Sequence, residues 1–293
     1  MIITRLAGGL GNQMFQYALG RSLAIKNDDT LKLDISHYAN QSHIDTHRKY
    51  GLNAMKIDES IASELEIKKI NYINASNLLI KKYFGKDKCF SYYSIVKEKN
   101  QYFDNEVLSK RGNIYLEGYW QSYKYFNGIK KFIYHDFQSK NAVNYSNPEI
   151  SKWLKEKNFA VIHVRRGDYV TNNLAKDVLG ALPANYYLKA ATYIKKLRAI
   201  KRYVIVSDEI DWCRQSLSQV EKLGEVMYYA GNEIEDLNLM EHSAGNVLSN
   251  STFSWWGSYL NRNASKIIIS PKKWYKNSIY SDSDLIPPEW IRL

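Results

Sequence analysis

Cysteine is nearly absent from this chain. Cys89 and Cys213 are the only two in 293 residues, far apart and outside any CxxC pair, which excludes a disulfide framework and a structural zinc site and leaves reduced thiols. Nor is there a run of about 18 apolar residues that would cross a bilayer. Arg5 interrupts the only apolar start able to imitate a signal peptide. These absences predict a cytoplasmic protein with at most peripheral attachment to the inner face of a membrane. Internal repeats and low-complexity segments are missing as well. What is present, 45% hydrophobic and 24% charged residues, is the composition of an ordinary globular protein long enough for two domains.

Lys and Arg number 41 against 30 Asp and Glu, a net charge of +11. Such a balance attracts nucleic acid, anionic lipid or phosphate-bearing substrates. The lysines are scattered, as in Lys68-Lys69, Lys81-Lys82, Lys130-Lys131 and Lys272-Lys273, so most of them solvate the surface. With 24 tyrosines the charge suits a binder of single-stranded nucleic acid, yet no RNA-binding signature accompanies it.

Ile2-Ile3-Thr4-Arg5-Leu6-Ala7 reads as a short buried strand stopped by glycines. Met14, Tyr17, Ala18, Leu19, Leu23 and Ile25 then recur at near-helical spacing, interrupted only by Gly20, and Thr30 to Ile35 alternates like a strand. A β-loop-α-β unit therefore begins at the first residue. The middle, residues 36 to 145, is rich in tyrosine, lysine and asparagine. It predicts a helical stretch near Glu59 to Lys69 and one strand, Ile114 to Trp120. Turn chemistry at Asn144 to Pro148, before a helix at Ile150 to Lys157, sets a boundary between a domain of residues 1–145 and one of residues 146–293. In the second domain, strand candidates at Phe159–Val164, Tyr203–Ser207, Glu225–Tyr229, Asn246–Ser249 and Lys266–Ser270 alternate with helical stretches near Asn185–Arg198, Asp211–Ser218, Ile234–Ser243 and Phe253–Asn261. That alternation predicts a parallel α/β sheet with ligands at the carboxyl ends of its strands.

Three strand-end segments ask for chemistry. Gly8-Gly9-Leu10-Gly11-Asn12-Gln13 joins the first strand to the first helix, where glycines let the backbone approach a ligand and the helix start offers N–H groups to an anion. It is not a P-loop, because Gly-Lys-Ser/Thr is missing. An NAD fingerprint is the rival, with Gly9 and Gly11 in the turn and Asp34 on the ribose. Met14 stands where its third glycine belongs, and the reading leaves the Arg165-Arg166 pair unexplained.

His163-Val164-Arg165-Arg166-Gly167-Asp168 ends the strand that opens the second domain. His163 and Arg165 share one face, and an arginine pair there is costly unless a diphosphate or the Asp168 carboxylate meets it. Asn250-Ser251-Thr252-Phe253-Ser254-Trp255-Trp256-Gly257 is again a strand end leading into a helix. Its hydroxyls can cap that helix and hold an anion together with backbone N–H groups. Ser207-Asp208-Glu209 ends another strand and Asp236 heads a helix, so either carboxylate suits a guanine edge, a ribose or a cap. Asp282-Ser283-Asp284 has the spacing of a metal-dependent glycosyltransferase motif but lies in a polar tail, and no metal is expected.

Taken together, residues 8–18, 163–168 and 250–257 resemble the family 11 α-1,2-fucosyltransferases, and the closing Asp284-Leu285-Ile286-Pro287-Pro288-Glu289-Trp290-Ile291 is similar to that family's ending. The resemblance spans nearly the whole chain and is weakest over residues 36–145, where acceptor contacts are expected. It implies a GT-B-like α/β fold, two Rossmann-type domains facing a cleft, with the acceptor on the N-terminal side and GDP-L-fucose on the C-terminal side. The implied reaction moves L-fucose to the 2-hydroxyl of a β-galactoside with inversion, without cofactor or metal, in surface polysaccharide or lipopolysaccharide synthesis on a galactose-terminated or lipid-linked glycan. The resemblance implies that Gly11, Asn12, Gln13, Arg165, Ser251, Thr252 and Phe253 hold the donor, and the strand-end and helix-start positions add Gly9, His163, Ser207, Asp208, Asp236 and Asn250 as donor-binding candidates. Arg165, Asp168, Asn12 and His163 are the catalytic candidates. Arg165 meets the charge that develops on the β-phosphate, and Asp168 or His163 is placed to take the acceptor proton.

Overall fold

The computed structural model describes residues 1–39, 41, 47–70 and 93–293, so the readings of Cys89 and Lys81-Lys82 lie outside the described residues. The chain divides into two compact units, Met1–Gln138 and Ser139–Leu293.

In the first unit, β1 (Ile2–Arg5), β2 (Leu31–Asp34), β3 (Ser94–Lys97) and β4 (Ile114–Glu117) form a parallel sheet in the order β2-β1-β4-β3. Ile2 and Ile3 at its centre are fully buried, as a parallel strand covered on both faces requires. The helix Leu10–Asn27 follows β1. Gly20, which interrupts its apolar pattern, is a packing requirement: a Cβ there would lie 2.7 Å from Leu31 Cδ1 and 3.3 Å from Thr4. A side chain at position 20 would have to be met by movement of Leu31 and by a few tenths of an ångström from Thr4. Residues 64–70 are helical, within the stretch expected near Glu59 to Lys69.

The second unit holds β5 (Ala160–Val164), β6 (Arg202–Ser207), β7 (Glu225–Tyr229), β8 (Gly245–Val247), β9 (Ile267–Ser270) and β10 (Ile291–Arg292), all parallel, in the order β10-β9-β8-β5-β6-β7. Side-chain alternation along β5 feeds two cores. Ile162 and Val164 pack with Ile205 against Tyr187, Ala190 and Ile194 of the helix Ala184–Arg198. Val161 packs with Val204 and Val206 against Ile150, Trp153, Leu239 and Met240 on the other face. Helices on both faces make this unit doubly wound. The chain runs from β5 outward to β7 and then returns to place β8 on the other side of β5. This reversal opens a crevice at the carboxyl ends of β5 and β8, the place where ligands of such sheets bind. In the first unit the same reversal falls between β1 and β4. Among the described residues no helix is long and apolar enough to cross a membrane.

Candidate functional site

The loops leaving β5 and β8 hold two of the three segments singled out in the sequence, and they meet at the reversal. The His163 ring is buried, its Nδ1 2.8 Å from Ser249 Oγ and its ring centre 5.4 Å from that of Phe253. Arg165 is held on two sides. Its Nε and Nη2 lie 3.0 and 2.8 Å from Asp168 Oδ1, and its Nη1 lies 3.1 Å from Asp208 Oδ2. These contacts engage at most three of the five guanidinium N–H groups. Tyr169, 5.9 Å below the Arg165 guanidinium, donates its hydroxyl proton to Asn250 O at 3.0 Å and so ties the two loops together. Ser251 caps the helix Thr252–Tyr259, accepting from Phe253 N–H at 3.3 Å, which turns the positive end of that helix toward the crevice.

Arg166 is built into the protein differently. Its guanidinium sits 4.0 Å over the Trp212 ring and its Nε donates to Glu209 Oε2 at 3.1 Å, while its backbone N–H donates to Asp208 Oδ1 at 3.0 Å. Asp168, which sequence alone could assign to either arginine, binds Arg165. Trp212 and Glu209 were missed as partners, although one helical turn separates them. Ser207 Oγ accepts from Glu209 N–H at 2.9 Å and shapes this turn.

Protonation follows from burial. Burial first, and the Arg165 charge second, push the His163 pKa down to about 3, so the ring is neutral and a weak base at physiological pH. Burial alone would lower Arg165, but Asp208 and Asp168 outweigh it and the net shift is upward. Asp236, in the first turn of the helix Glu233–His242, is raised to about 7 by burial and then by Glu235 and Glu233. Its Oδ1 is buried without a partner. The cap of that helix is Asn232, in a reciprocal capping box with Glu235, so Asp236 is not the cap.

Asn250 is a strut. Its Nδ2 donates to Leu179 O, Gly180 O and Trp274 O at 3.0 to 3.1 Å, so its amide nitrogen serves the fold rather than a ligand. Asp282 accepts from Arg292 through both oxygens, at 3.0 and 2.5 Å, and from Trp274 N–H at 2.9 Å. It anchors the C-terminal strand. Cys213 is fully buried, and burial raises its thiol to about 11, an inert structural thiol.

In the first unit, Gly8 takes φ +79° and brings the chain into the helix that starts at Leu10 behind Gly9. Gln13 is fully buried. Its Nε2 donates to Gly8 O and Lys49 O at 3.0 and 2.8 Å and its Oε1 accepts from Gly51 N–H at 2.9 Å, so it shapes the glycine loop. Asn12 Oδ1 accepts from Gln121 Nε2 at 3.0 Å, closing the β1 loop onto the β4 loop. Asp34 is buried, accepting from the Tyr115 hydroxyl at 2.6 Å and from Ser36 N–H at 2.9 Å, and Met14 is core. The dinucleotide alternative thereby loses both its ribose acid and its third glycine.

Residues 1–293 match the family model described as Glycosyl transferase family 11. An alpha-1,2-colitosyltransferase of Escherichia coli is 30% identical over 100% of this chain and 99% of its own length. The O-antigen biosynthesis glycosyltransferase WbnK of Escherichia coli is 31% identical over 98% of this chain and 99% of its own. A galactoside alpha-(1,2)-fucosyltransferase 2 of Mus musculus is 29% identical over 45% of this chain and 39% of its own. Among solved structures, an Arabidopsis thaliana FUT1 mutant in complex with GDP superposes with TM-score 0.55 at 10% identity, covering 98% of this chain and 74% of that one, a likeness of fold.

Proposed function

The chain belongs to glycosyltransferase family 11, and on that premise we propose that it is a galactoside α-1,2-fucosyltransferase of surface polysaccharide synthesis. GDP-L-fucose is its donor, and its acceptor is a galactose-terminated or lipid-linked glycan of the O-antigen kind. The observation that carries this reading is the β5/β8 reversal, where Arg165 offers its guanidinium to an anion beside the positive end of the helix Thr252–Tyr259.

In the reaction, the 2-oxygen of the acceptor galactose bonds to C1 of fucose from the face opposite GDP. The C1–O bond breaks, its electron pair leaves with the β-phosphate, and the acceptor proton passes to a base or to water. Arg165 meets the charge on the departing diphosphate, and a preorganised contact of this type contributes about 2.7–4 kcal/mol to transition-state stabilisation. Asp168 and Asp208 are positioning residues that lock the guanidinium. Ser251, Thr252 and Phe253 line the diphosphate, His163 offers a neutral ring, and Asp236 reads the guanine edge. Net charge of +11 supports a salt-sensitive, peripheral association with anionic membranes.

The full-length relative named a colitosyltransferase makes the 3-deoxy analogue of fucose the competing donor. Incubation with lactose and either GDP-fucose or the GDP-linked 3-deoxy sugar, with product linkage read by NMR, tests both. An α-1,2-fucosylated product formed faster than the 3-deoxy one is expected. Preference for the 3-deoxy donor reassigns the sugar, and absence of any transfer together with absence of GDP binding removes the reading.

A further inference from the structure

The first unit contains a cavity of ≈ 510 Å³ that the reversal between β1 and β4 does not account for. It opens one strand further along, at the carboxyl ends of β4 and β3. Glu98 leaves β3 and turns its carboxylate onto the residues leaving β4, accepting from Tyr119 N–H at 2.7 Å and from Trp120 N–H at 2.9 Å. The two segments approach so closely that a Cβ on Gly118 would lie 2.4 Å from Glu98 Cβ.

Held by this carboxylate, Trp120 adopts φ +57°, a left-handed conformation that is strained for a bulky side chain and is retained where the surroundings impose it. Its ring lines the cavity, and its indole N–H is buried without a hydrogen-bond partner among the described residues. An unpartnered buried donor is costly unless a ligand or water supplies the acceptor. Behind Trp120, Tyr125 packs edge-on at 5.9 Å and Phe103 lies 4.9 Å from Tyr125. Tyr102, 48% exposed, and Asn100 line it too, and Lys97, Lys99, Asp104, Asn105, Glu106 and Ser109 supply charged and polar groups around it.

We propose that this cavity is a subsite for the acceptor glycan, holding a sugar unit beyond the galactose that receives the fucose. The class of ligand rests on the fucosyltransferase reading above. The residue chemistry is that of carbohydrate recognition, in which the C–H face of a pyranose packs on an exposed aromatic ring, here Tyr102, while its hydroxyls meet the polar side chains around the opening. Displacement by one strand from the β1/β4 reversal is why the unit bound here is a distal one. Glu98 is a positioning residue. The turn it fixes continues to Gln121, whose side chain donates to Asn12 on the glycine loop, so one carboxylate shapes both the cavity and that loop.

Tyr102→Ala, Tyr102→Phe and Glu98→Gln are compared with wild type on two acceptors that share a terminal β-galactose, lactose and lacto-N-tetraose. Tyr102→Ala should raise KM for the tetrasaccharide about tenfold, with kcat and the lactose KM unchanged, and Tyr102→Phe should behave as wild type. Glu98→Gln should raise the tetrasaccharide KM and also lower kcat on both acceptors, while GDP affinity stays constant. Saturation-transfer NMR of the tetrasaccharide without donor reads the cavity directly. Signals from its reducing-end sugars should appear with wild type and fade with Tyr102→Ala. An unchanged tetrasaccharide KM, or NMR signals that Tyr102→Ala leaves intact, overturns the subsite. An equal rise of KM on both acceptors overturns the distal placement. Should neither GDP-fucose nor its 3-deoxy analogue be used while tetrasaccharide binding still depends on Tyr102, the donor assignment fails and the subsite stands.

Discussion

Asp208 joins the two arginines of the β5 loop: its Oδ2 lies 3.1 Å from Arg165 Nη1 and its Oδ1 accepts the backbone N–H of Arg166 at 3.0 Å. With Asp168 and Glu209 nearby, three carboxylates surround two guanidinium groups before any donor arrives. Removing one negative charge should therefore favour a diphosphate in the ground state while loosening Arg165. Asp208→Asn should bind GDP at least as tightly as wild type and lose about tenfold in kcat, measured by calorimetry and initial rates. A weaker GDP affinity at unchanged kcat would mean that Asp208 touches the nucleotide instead.

Arg165 itself is tested by geometry against charge. Arg165→Lys keeps the charge and loses the fork that Asp168 and Asp208 lock, so the protein should melt normally and lose much of its rate. Arg165→Ala should lose roughly two to three decades in kcat. Near wild-type transfer by a normally melting Arg165→Ala protein removes the centre of the mechanism.

Arg166 should divide the other way. It stacks on Trp212 and pairs with Glu209, contacts internal to the second unit, so Arg166→Ala should cost on the order of 1–2 kcal/mol and lower Tm by several degrees. Its kcat should fall far less than that of Arg165→Ala. Circular dichroism melting beside initial rates separates the two, and an unchanged Tm with a large loss of rate would move Arg166 into the donor site.

The second unit was legible because its strands are apolar runs bounded by turns, and Glu225–Tyr229 is found at the expected residues. Phe159–Val164 loses only Phe159 at its start, and Asn246–Ser249 is found shifted to Gly245–Val247, its ladder stopping before Leu248 and Ser249 lead into the loop. Strand β3 was not legible. Ser94-Ile95-Val96-Lys97 has two apolar residues and, among the described residues, lies at a sheet edge paired with β4, so periodicity had little to register. In the site, the residue types at strand ends announced an anion seat, but which acid holds which arginine depends on strand neighbours distant in sequence, as with Asp208 and Arg165. Gln13 and Asn250 illustrate a further gap, since sequence reads an amide beside a glycine or serine turn as a ligand contact and does not show the backbone carbonyls to which each also donates.

Asp282 provides a test of the expected metal independence. Its carboxylate is occupied by Arg292 and by Trp274 N–H, so Asp282→Asn should lower Tm by freeing the C-terminal strand, while EDTA should leave the wild-type transfer rate unchanged. Loss of activity on chelation, restored by Mn²⁺ or Mg²⁺, would require carboxylates to be reassigned to a cation.

The pH dependence of donor binding tests Asp236. Its carboxyl is raised from the ordinary 3.8 to about 7 by burial and by neighbouring acids, so between about pH 4 and 7 the folded protein holds a proton there that the unfolded chain does not. That contribution to stability is complete below about pH 4 and is lost as the pH rises through 7. His163 acts in the opposite direction: with its pKa down at about 3, the unfolded chain takes up the proton first and stability falls as the pH drops below about 6.5. The difference between wild type and Asp236→Asn isolates the first effect, and the wild-type Tm should fall relative to that of Asp236→Asn as the pH rises through 7. If the ionised carboxylate accepts the guanine N–H groups, binding selects the deprotonated form. Affinity for GDP-fucose, whose diphosphate ester does not titrate here, should then be full above pH 7 and fall about thirtyfold between pH 8 and 5.5. Asp236→Asn should bind more weakly and without that slope. A wild-type affinity that is flat across this range, read by calorimetry in two buffers to count the released proton, takes Asp236 off the guanine edge.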